Sequence, residues 1–146
     1  QERTLRSGTL PLPQIIGFGE AVRLAVEEMD TERIRFRAWQ KMFVEAVSDK
    51  SQWIKINGSL DQRLSNNLNL TFPGYRSDEL FGLLAAFQLS SGSACTSASV
   101  EPSYVLTAMG LSNSDAAGSI RVSFGRPTTQ QEVTDLLGAI LAIQPK

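Results

Sequence analysis

A chain of 146 residues with 42% hydrophobic and 20% charged residues has the size and composition of one globular domain with a modest core. Its net charge of −1 and pI of about 5.5 give no sign of a nucleic-acid-binding surface, and no apolar run approaches the ~20 residues that cross a bilayer. A single cysteine excludes an internal disulfide framework and favours a reducing compartment.

The chain opens on a segment without regular structure and continues into a long helical pattern. Gly8 and Pro11, with Pro13 directly after them, disfavour regular structure in residues 1–12, which we expect to form a loop. From there to residue 49, apolar side chains recur at steps of three and four residues, which predicts one long helix or two abutting ones. The apolar positions are Ile15, Phe18, Val22, Ala25 and Met29, then Phe36, Trp39, Phe43 and Val47.

Three short segments alternate between apolar and polar residues, the pattern of a half-buried strand. They are residues 53–56, 68–72 and 120–124. Asn57-Gly58 follows the first segment and Pro73-Gly74 follows the second, and both pairs are turn signals. The strands are therefore short and separated by turns.

Helical spacing fills most of the remaining chain. It predicts helices over residues 77–87 and 102–109, the second ended by Gly110, and a last helix opened by the capping box from Thr129 to Glu132. The order of elements predicts an α+β fold, with a small, mostly antiparallel sheet, helices on one face and a long helix before it.

The only cysteine lies in a stretch of small residues, SSGSACTSAS, at residues 90–99. Gly92 frees the backbone, and small hydroxyl side chains favour loops over helices, which predicts a loop that carries Cys95. Free cysteines are often ordinary small buried residues. A second interpretation, favoured by the polar surroundings, is that Cys95 is a nucleophile whose thiolate is the reactive form. The chain contains no histidine to serve as its base.

The loop and the PSYVL segment that follows it, at residues 102–106, resemble the active-site loop of cysteine desulfurases of the NifS/IscS type. These are pyridoxal-phosphate enzymes of the class V aminotransferase group. The resemblance implies that Cys95 attacks the sulfur of a cysteine bound to the cofactor, and then carries that sulfur as a persulfide to an acceptor protein. It also implies the fold of the C-terminal small domain of a fold type I transferase.

Two further segments share the resemblance. RSGT, at residues 6–9, is similar to the family segment whose threonine, here Thr9, contacts the phosphate of the partner's cofactor across a homodimer. SIRVSFGR, at residues 119–126, is similar to the segment whose first arginine, here Arg121, holds the substrate carboxylate. On strand alternation alone, Arg121 is a solvent-facing side chain. The resemblance implies that it is the substrate anchor, since a guanidinium binds a carboxylate through two parallel hydrogen bonds.

The resemblance divides the chain into a loop that contributes to the cofactor site and dimer interface (1–12), a connecting helix (13–49) and a small C-terminal domain (50–146) with the active-site cysteine loop (90–101). The four lysines, Lys41, Lys50, Lys55 and Lys146, lie outside any Ser-x-His-Lys segment, so we expect the Schiff-base lysine to lie elsewhere. Because the chain begins at Gln1, we expect a processed or trimmed product or part of a longer chain, inactive alone.

The expected function is therefore the C-terminal part of a desulfurase that converts L-cysteine into L-alanine and supplies sulfur for iron–sulfur clusters or other thio-cofactors. Cys95 is also a candidate transient cluster ligand, shared with a scaffold protein, because thiolates bind iron. The alternative is a non-enzymatic sulfur carrier that lacks the cofactor domain, and selenocysteine lyase is a subordinate one. We expect a homodimer in the cytoplasm, with an organellar matrix as the alternative, and neither nucleic acid nor membrane as a partner.

Overall fold

The computed structural model describes residues 3, 5, 7–91 and 102–146. Within these ranges the elements are α1 (Leu12–Lys50), β1 (Lys55–Ile56), β2 (Asn67–Thr71), α2 (Ser77–Leu83), α3 (Tyr104–Ala108), α4 (Asn113–Ala117), β3 (Ser119–Ser123) and α5 (Gln130–Ala142). This order confirms the predicted succession of helices and strands, with α4 as an addition. The chain forms two compact units, Gln1–Ile34 and Arg35–Lys146.

The N-terminal unit consists of the opening segment and the first part of α1. Gly8 has a φ of +90°, a conformation that residues with a side chain rarely adopt. The helix is continuous, which decides between the two forms that the pattern allowed. Its predicted apolar stripe is exposed in this unit, including Phe18 at 73% and Met29 at 60%. Arg23 forms ion pairs with both Glu20 and Glu27, one turn before and one turn after it along the helix.

The C-terminal unit contains a three-stranded antiparallel sheet in the order β1-β2-β3, as predicted. The first strand is shorter than predicted, since residues 53 and 54 lie in a turn in which the Ile54 N–H donates to the Ser51 carbonyl. In this turn the Trp53 ring packs against Phe72 and Tyr75, with ring centroids 5.8 and 6.1 Å away.

The core lies against one face of this sheet. Leu68, Leu70, Ile120 and Val122 alternate with polar residues on β2 and β3, and they are all at most 1% exposed. They belong to one cluster with apolar residues from the second part of α1, from α2 and from α5. The α1 and α5 members are Phe36, Trp39, Phe43, Val47, Val133, Leu136, Leu137 and Ile140. The opposite face of the sheet is therefore left to polar side chains.

The helix ends follow local chemistry, with one departure from prediction. The Thr129 hydroxyl accepts from the Glu132 N–H, and the Glu132 carboxylate accepts from the Thr129 N–H, which confirms the capping box. Gly110, with a φ of +94°, ends α3 as predicted. However, α2 ends at Leu83, which is exposed, because the chain turns there and the Phe87 N–H donates to the Leu84 carbonyl.

In the part of the chain that the structure describes, no helix is both long enough and apolar enough to cross a membrane.

Candidate active site

Arg121 lies in the middle of β3 and its side chain is exposed. Its neighbours Ile120 and Val122 are buried on the opposite face, which confirms the orientation that strand alternation predicted. Among the described residues, its guanidinium has no hydrogen-bond or ion-pair partner. Arg121 therefore offers a full fork of donors to a ligand on the polar face of the sheet.

Ser90, the first residue of the predicted cysteine loop, is paired with Arg121. The Arg121 N–H donates to the Ser90 carbonyl at 2.5 Å, and the Ser90 N–H donates to the Arg121 carbonyl at 3.3 Å. The residue five positions before Cys95 is thus paired with the residue predicted to hold the substrate. Residues 92–101, with Cys95, lie outside the described residues.

Four polar residues form one row across the polar face: Asn57, Asn69, Arg121 and Ser90. Asn69 is the β2 partner of Arg121, and the Asn57 N–H donates to the Asn69 carbonyl at 2.9 Å. Because Arg121 directs both of its backbone groups to Ser90, its pair with Asn69 is the non-hydrogen-bonded kind. In such pairs the Cα atoms are about 4.5 Å apart and the side chains are on the same face.

A buried hydrogen-bond network holds one end of this row. The Asn57 Nδ2 group donates to Asn69 Oδ1 at 2.6 Å and to Thr71 Oγ1 at 2.7 Å. Thr71 and Ser119 are fully buried, and their hydroxyl oxygens are 2.7 Å apart. The Ser119 hydroxyl donates in turn to the Asp115 carbonyl at 2.7 Å. The network therefore ties β1, β2, β3 and α4 together beside Arg121.

Neither this network nor the helix α4 that contributes to it was predicted from the sequence. Asparagine is depleted in strands, so Asn69 in the middle of an alternating segment was an available signal. The signal for α4 was Ser112 three residues before Asp115, since the Ser112 hydroxyl accepts from the Asp115 N–H as an N-cap. A salt bridge of 3.1 Å between Asp115 and Lys55 joins α4 to β1.

Thr9, the predicted phosphate contact, is exposed in the N-terminal unit, directly after Gly8. The positive φ of Gly8 turns the chain at this point. A hydroxyl and backbone N–H groups beside such a glycine are suitable donors for a phosphate. Arg121 belongs to the other unit, and the role of Thr9 stays a prediction.

The matches to known proteins agree with the resemblance in the three segments. A family model described as aminotransferase class-V matches residues 1–136. The chain belongs to the aminotransferase class-V family. Its relatives include the cysteine desulfurase IscS of Histophilus somni (strain 2336), which is 48% identical over 139 residues, or 95% of this chain and 34% of that protein. The cysteine desulfurase IscS of Pseudomonas entomophila (strain L48) is 49% identical over 132 residues, which cover 90% of this chain and 32% of that protein.

Solved structures confirm the fold of this class-V chain. A NifS-like protein superposes with a TM-score of 0.81 at 31% identity, over 97% of this chain and 36% of that one. A structure described as SspA in complex with cysteine matches with a TM-score of 0.53 at 33% identity, over 85% and 33%. The chain spans about a third of the length of the relatives and structures that it matches.

The family implies pyridoxal phosphate, and the lysines test how much of its site this chain supplies. A Schiff-base lysine needs a pocket that keeps its amine unprotonated. All four lysines are exposed, Lys50 in the last turn of α1 and the others in surface ion pairs. These pairs join Lys41 to Glu45, Lys55 to Asp115 and Lys146 to Glu79 at 3.7, 3.1 and 2.7 Å. None of the four therefore fits the role of the Schiff-base lysine.

Metal binding was predicted only for Cys95, which lies outside the described residues. In the ranges that the structure describes, no group of three or more histidine, cysteine, aspartate or glutamate side chains could hold a metal ion.

Proposed function

We propose that this chain is the C-terminal part of a pyridoxal-phosphate-dependent cysteine desulfurase. The observation that carries the proposal is the backbone pairing of Ser90 with Arg121, which joins the stem of the cysteine loop to the candidate substrate anchor. The relatives named cysteine desulfurase support the same assignment. The covalent chain permits it as well, because five extended residues span about 17 Å, enough for a loop that starts at Ser90 to bring Cys95 to a ligand on Arg121.

Arg121 binds the carboxylate of L-cysteine. Its guanidinium is always charged and presents its donors in a rigid plane, so it fixes both the position and the direction of the carboxylate. The anchor itself is held in place because β3 pairs with β2 along its whole length and with Ser90 on its other side. A substrate bound there lies beside Ser90, the residue at which the predicted cysteine loop begins.

Cys95 accepts the substrate sulfur. Its thiolate attacks that sulfur, the carbon–sulfur bond of the substrate breaks, and a sulfur–sulfur bond forms on Cys95. The electron pair of the broken bond goes to the substrate carbon, which takes up a proton. L-cysteine and the Cys95 thiol thus yield L-alanine and a Cys95 persulfide, with atoms and electrons balanced and no external oxidant. Pyridoxal phosphate, when bound, supplies the electron sink that stabilises negative charge on the substrate.

The remaining roles complete the proposal. Thr9 contacts the phosphate of the partner's cofactor in a homodimer, residues 13–49 connect to a larger cofactor-binding region, and residues 50–146 form the small domain. The persulfide passes from Cys95 to an acceptor protein for iron–sulfur or thio-cofactor assembly, where the thiolate is also a transient cluster ligand. We place this activity in the cytoplasm.

Replacement of the nucleophile tests the proposal in the complete protein with its cofactor. We expect Cys95→Ser to abolish persulfide formation and alanine production from L-cysteine, while the visible absorbance of the cofactor is retained. Ser93→Ala is the matched control, since it removes one heavy atom from the same loop without touching the thiol, and its turnover should stay within a few-fold of wild type.

Undiminished sulfur transfer by the Cys95→Ser protein would refute the assigned role. A stand-alone sulfur carrier predicts a different outcome. The carrier would accept sulfur on Cys95 from another persulfide, but neither a cofactor spectrum nor alanine would be detected with the complete protein. A selenocysteine lyase would release selenium from selenocysteine and leave L-cysteine unconsumed.

A further inference from the structure

We infer that Asn69 is a second substrate-binding residue, whose side-chain amide donates a hydrogen bond to the carboxylate held by Arg121. The inference rests on the proposed function, because it takes Arg121 as the carboxylate anchor. It starts from the row on the polar face of the sheet, in which Asn69 lies directly opposite Arg121. In a non-hydrogen-bonded pair the two Cβ atoms are about 4.5–5.5 Å apart, so one carboxylate can contact both side chains.

The direction of the Asn69 amide is fixed by its other neighbour. Asn69 Oδ1 accepts from Asn57 Nδ2 at 2.6 Å, and the same Nδ2 group donates to the buried Thr71 hydroxyl. Because the oxygen of the Asn69 amide is engaged on the β1 side, the Nδ2 group is the part of the amide that remains for a ligand. Asn57 thereby sets which end of the amide is presented.

The Asn69 Nδ2 group is also open to a ligand. It has no hydrogen-bond partner among the described residues. It is also not buried. Among the described residues, the buried side-chain nitrogen and oxygen atoms without a hydrogen-bond partner belong to Arg35 and Arg63, and Asn69 is not among them. An accessible donor beside an accessible guanidinium is the arrangement that an anionic ligand requires.

A carboxylate has a use for this extra donor. Its two oxygens offer about four lone-pair positions, of which the fork of Arg121 occupies two. When a substrate displaces water, the remaining positions need donors, and an unsatisfied one weakens binding. A neutral amide meets this need without neutralising Arg121. Among the described residues, no acidic side chain lies opposite or diagonal to Arg121 on this face, where its neighbours are Asn67, Asn69, Thr71, Ser119, Ser123 and Ser90.

The test measures KM and kcat for L-cysteine in the complete protein with its cofactor. Asn69→Leu removes the donor at similar volume, and Asn67→Leu is the matched control, because Asn67 lies on the same strand and face but opposite Ser123. We expect Asn69→Leu to raise KM about ten- to a hundredfold, the range for a hydrogen bond to a charged group, with kcat changed less than threefold. The control should change KM less than threefold.

A ligand pair distinguishes binding of the carboxylate from a merely structural role. L-alanine carries the carboxylate, whereas cysteamine is cysteine without it. Loss of a carboxylate donor should weaken inhibition by L-alanine by the same factor as KM and leave inhibition by cysteamine within threefold of wild type. If Asn69→Leu fails to fold, Asn69→Ala takes its place with the same expectations.

The proposal is overturned if the Asn69 variant matches the Asn67 variant in KM, or if it weakens L-alanine and cysteamine equally. Arg121→Lys separates this failure from that of the proposed function. If Arg121→Lys raises KM and Asn69→Leu does not, Asn69 alone is not part of the carboxylate site. If neither variant changes KM, the carboxylate does not bind at this row.

Discussion

The buried network beneath the substrate row makes a quantitative prediction for Thr71→Val. Threonine and valine have nearly the same shape, and Thr71 is fully buried, so the substitution removes a hydroxyl without opening a cavity. That hydroxyl accepts from Asn57 at 2.7 Å and contacts the Ser119 hydroxyl at 2.7 Å. The substitution therefore breaks two buried hydrogen bonds at once.

The loss of stability depends on which hydrogen bonds Ser119 and Asn57 retain. Ser119 still donates to the Asp115 carbonyl, and Asn57 still donates to Asn69 Oδ1, so neither partner loses all of its hydrogen bonds. The second Asn57 N–H is left with the Ser119 oxygen at 3.4 Å, a poor replacement. At about 0.5–1.5 kcal/mol for each lost hydrogen bond, we expect a free energy of unfolding lower by about 1–3 kcal/mol. This corresponds to a melting temperature lower by roughly 2–12 °C.

Equilibrium urea unfolding checks this value, with Thr134→Val as the matched control. Thr134 is exposed on α5, where its hydroxyl donates to the Gln130 carbonyl of the same helix at 2.9 Å. The same chemical change there should alter the free energy of unfolding by at most about 0.5 kcal/mol. Equal effects of the two substitutions would show that Thr71 is not part of a buried network, and would refute the role of that network in supporting the polar face.

Two further predictions concern the row itself. Arg121→Lys keeps the charge but loses the planar fork, so KM for L-cysteine should rise about ten- to a hundredfold, and an unchanged KM and kcat would show that the carboxylate is held elsewhere. Ser90→Pro removes the N–H that donates to the Arg121 carbonyl, and turnover should fall about tenfold because the loop stem loses that contact. Ser90→Ala keeps both backbone bonds and should behave as wild type, so equal losses in the two variants would refute the role of the pairing.

The elements that the sequence predicted well are those with a local cause. The capping box of Thr129 and Glu132 and the glycine stop at Gly110 each involve residues within four positions of one another, and both are present. The structure places β2 and β3 only one residue before the predicted segments. The prediction is close because burial of alternate side chains gives a strand a two-residue period in its sequence. Local chemistry and a two-residue period do not depend on the rest of the fold.

The row of polar residues proposed to bind substrate could not be predicted in the same way. Asn69 and Arg121 are 52 positions apart in the sequence, and only the register of β2 against β3 makes them partners. A shift of that register by one residue would move Asn69 to the other face, so no residue pattern within either strand specifies the pair. Arg121 itself was identified by resemblance, while its exposure followed from alternation.

The two partners of Arg121 differ in how firmly they are attached, and this difference suits a transfer reaction. On the β2 side, Arg121 lies within a ladder of five residue pairs that is backed by the Thr71–Ser119 network. On the Ser90 side, the described residues contribute a single bridge outside any strand. An anchor must hold the carboxylate in one place through the reaction, whereas a nucleophile that also delivers sulfur to another protein must reach a second position. In the described part of the chain, the sheet therefore holds Arg121, the proposed anchor, through a ladder of five pairs and Ser90 through one pair.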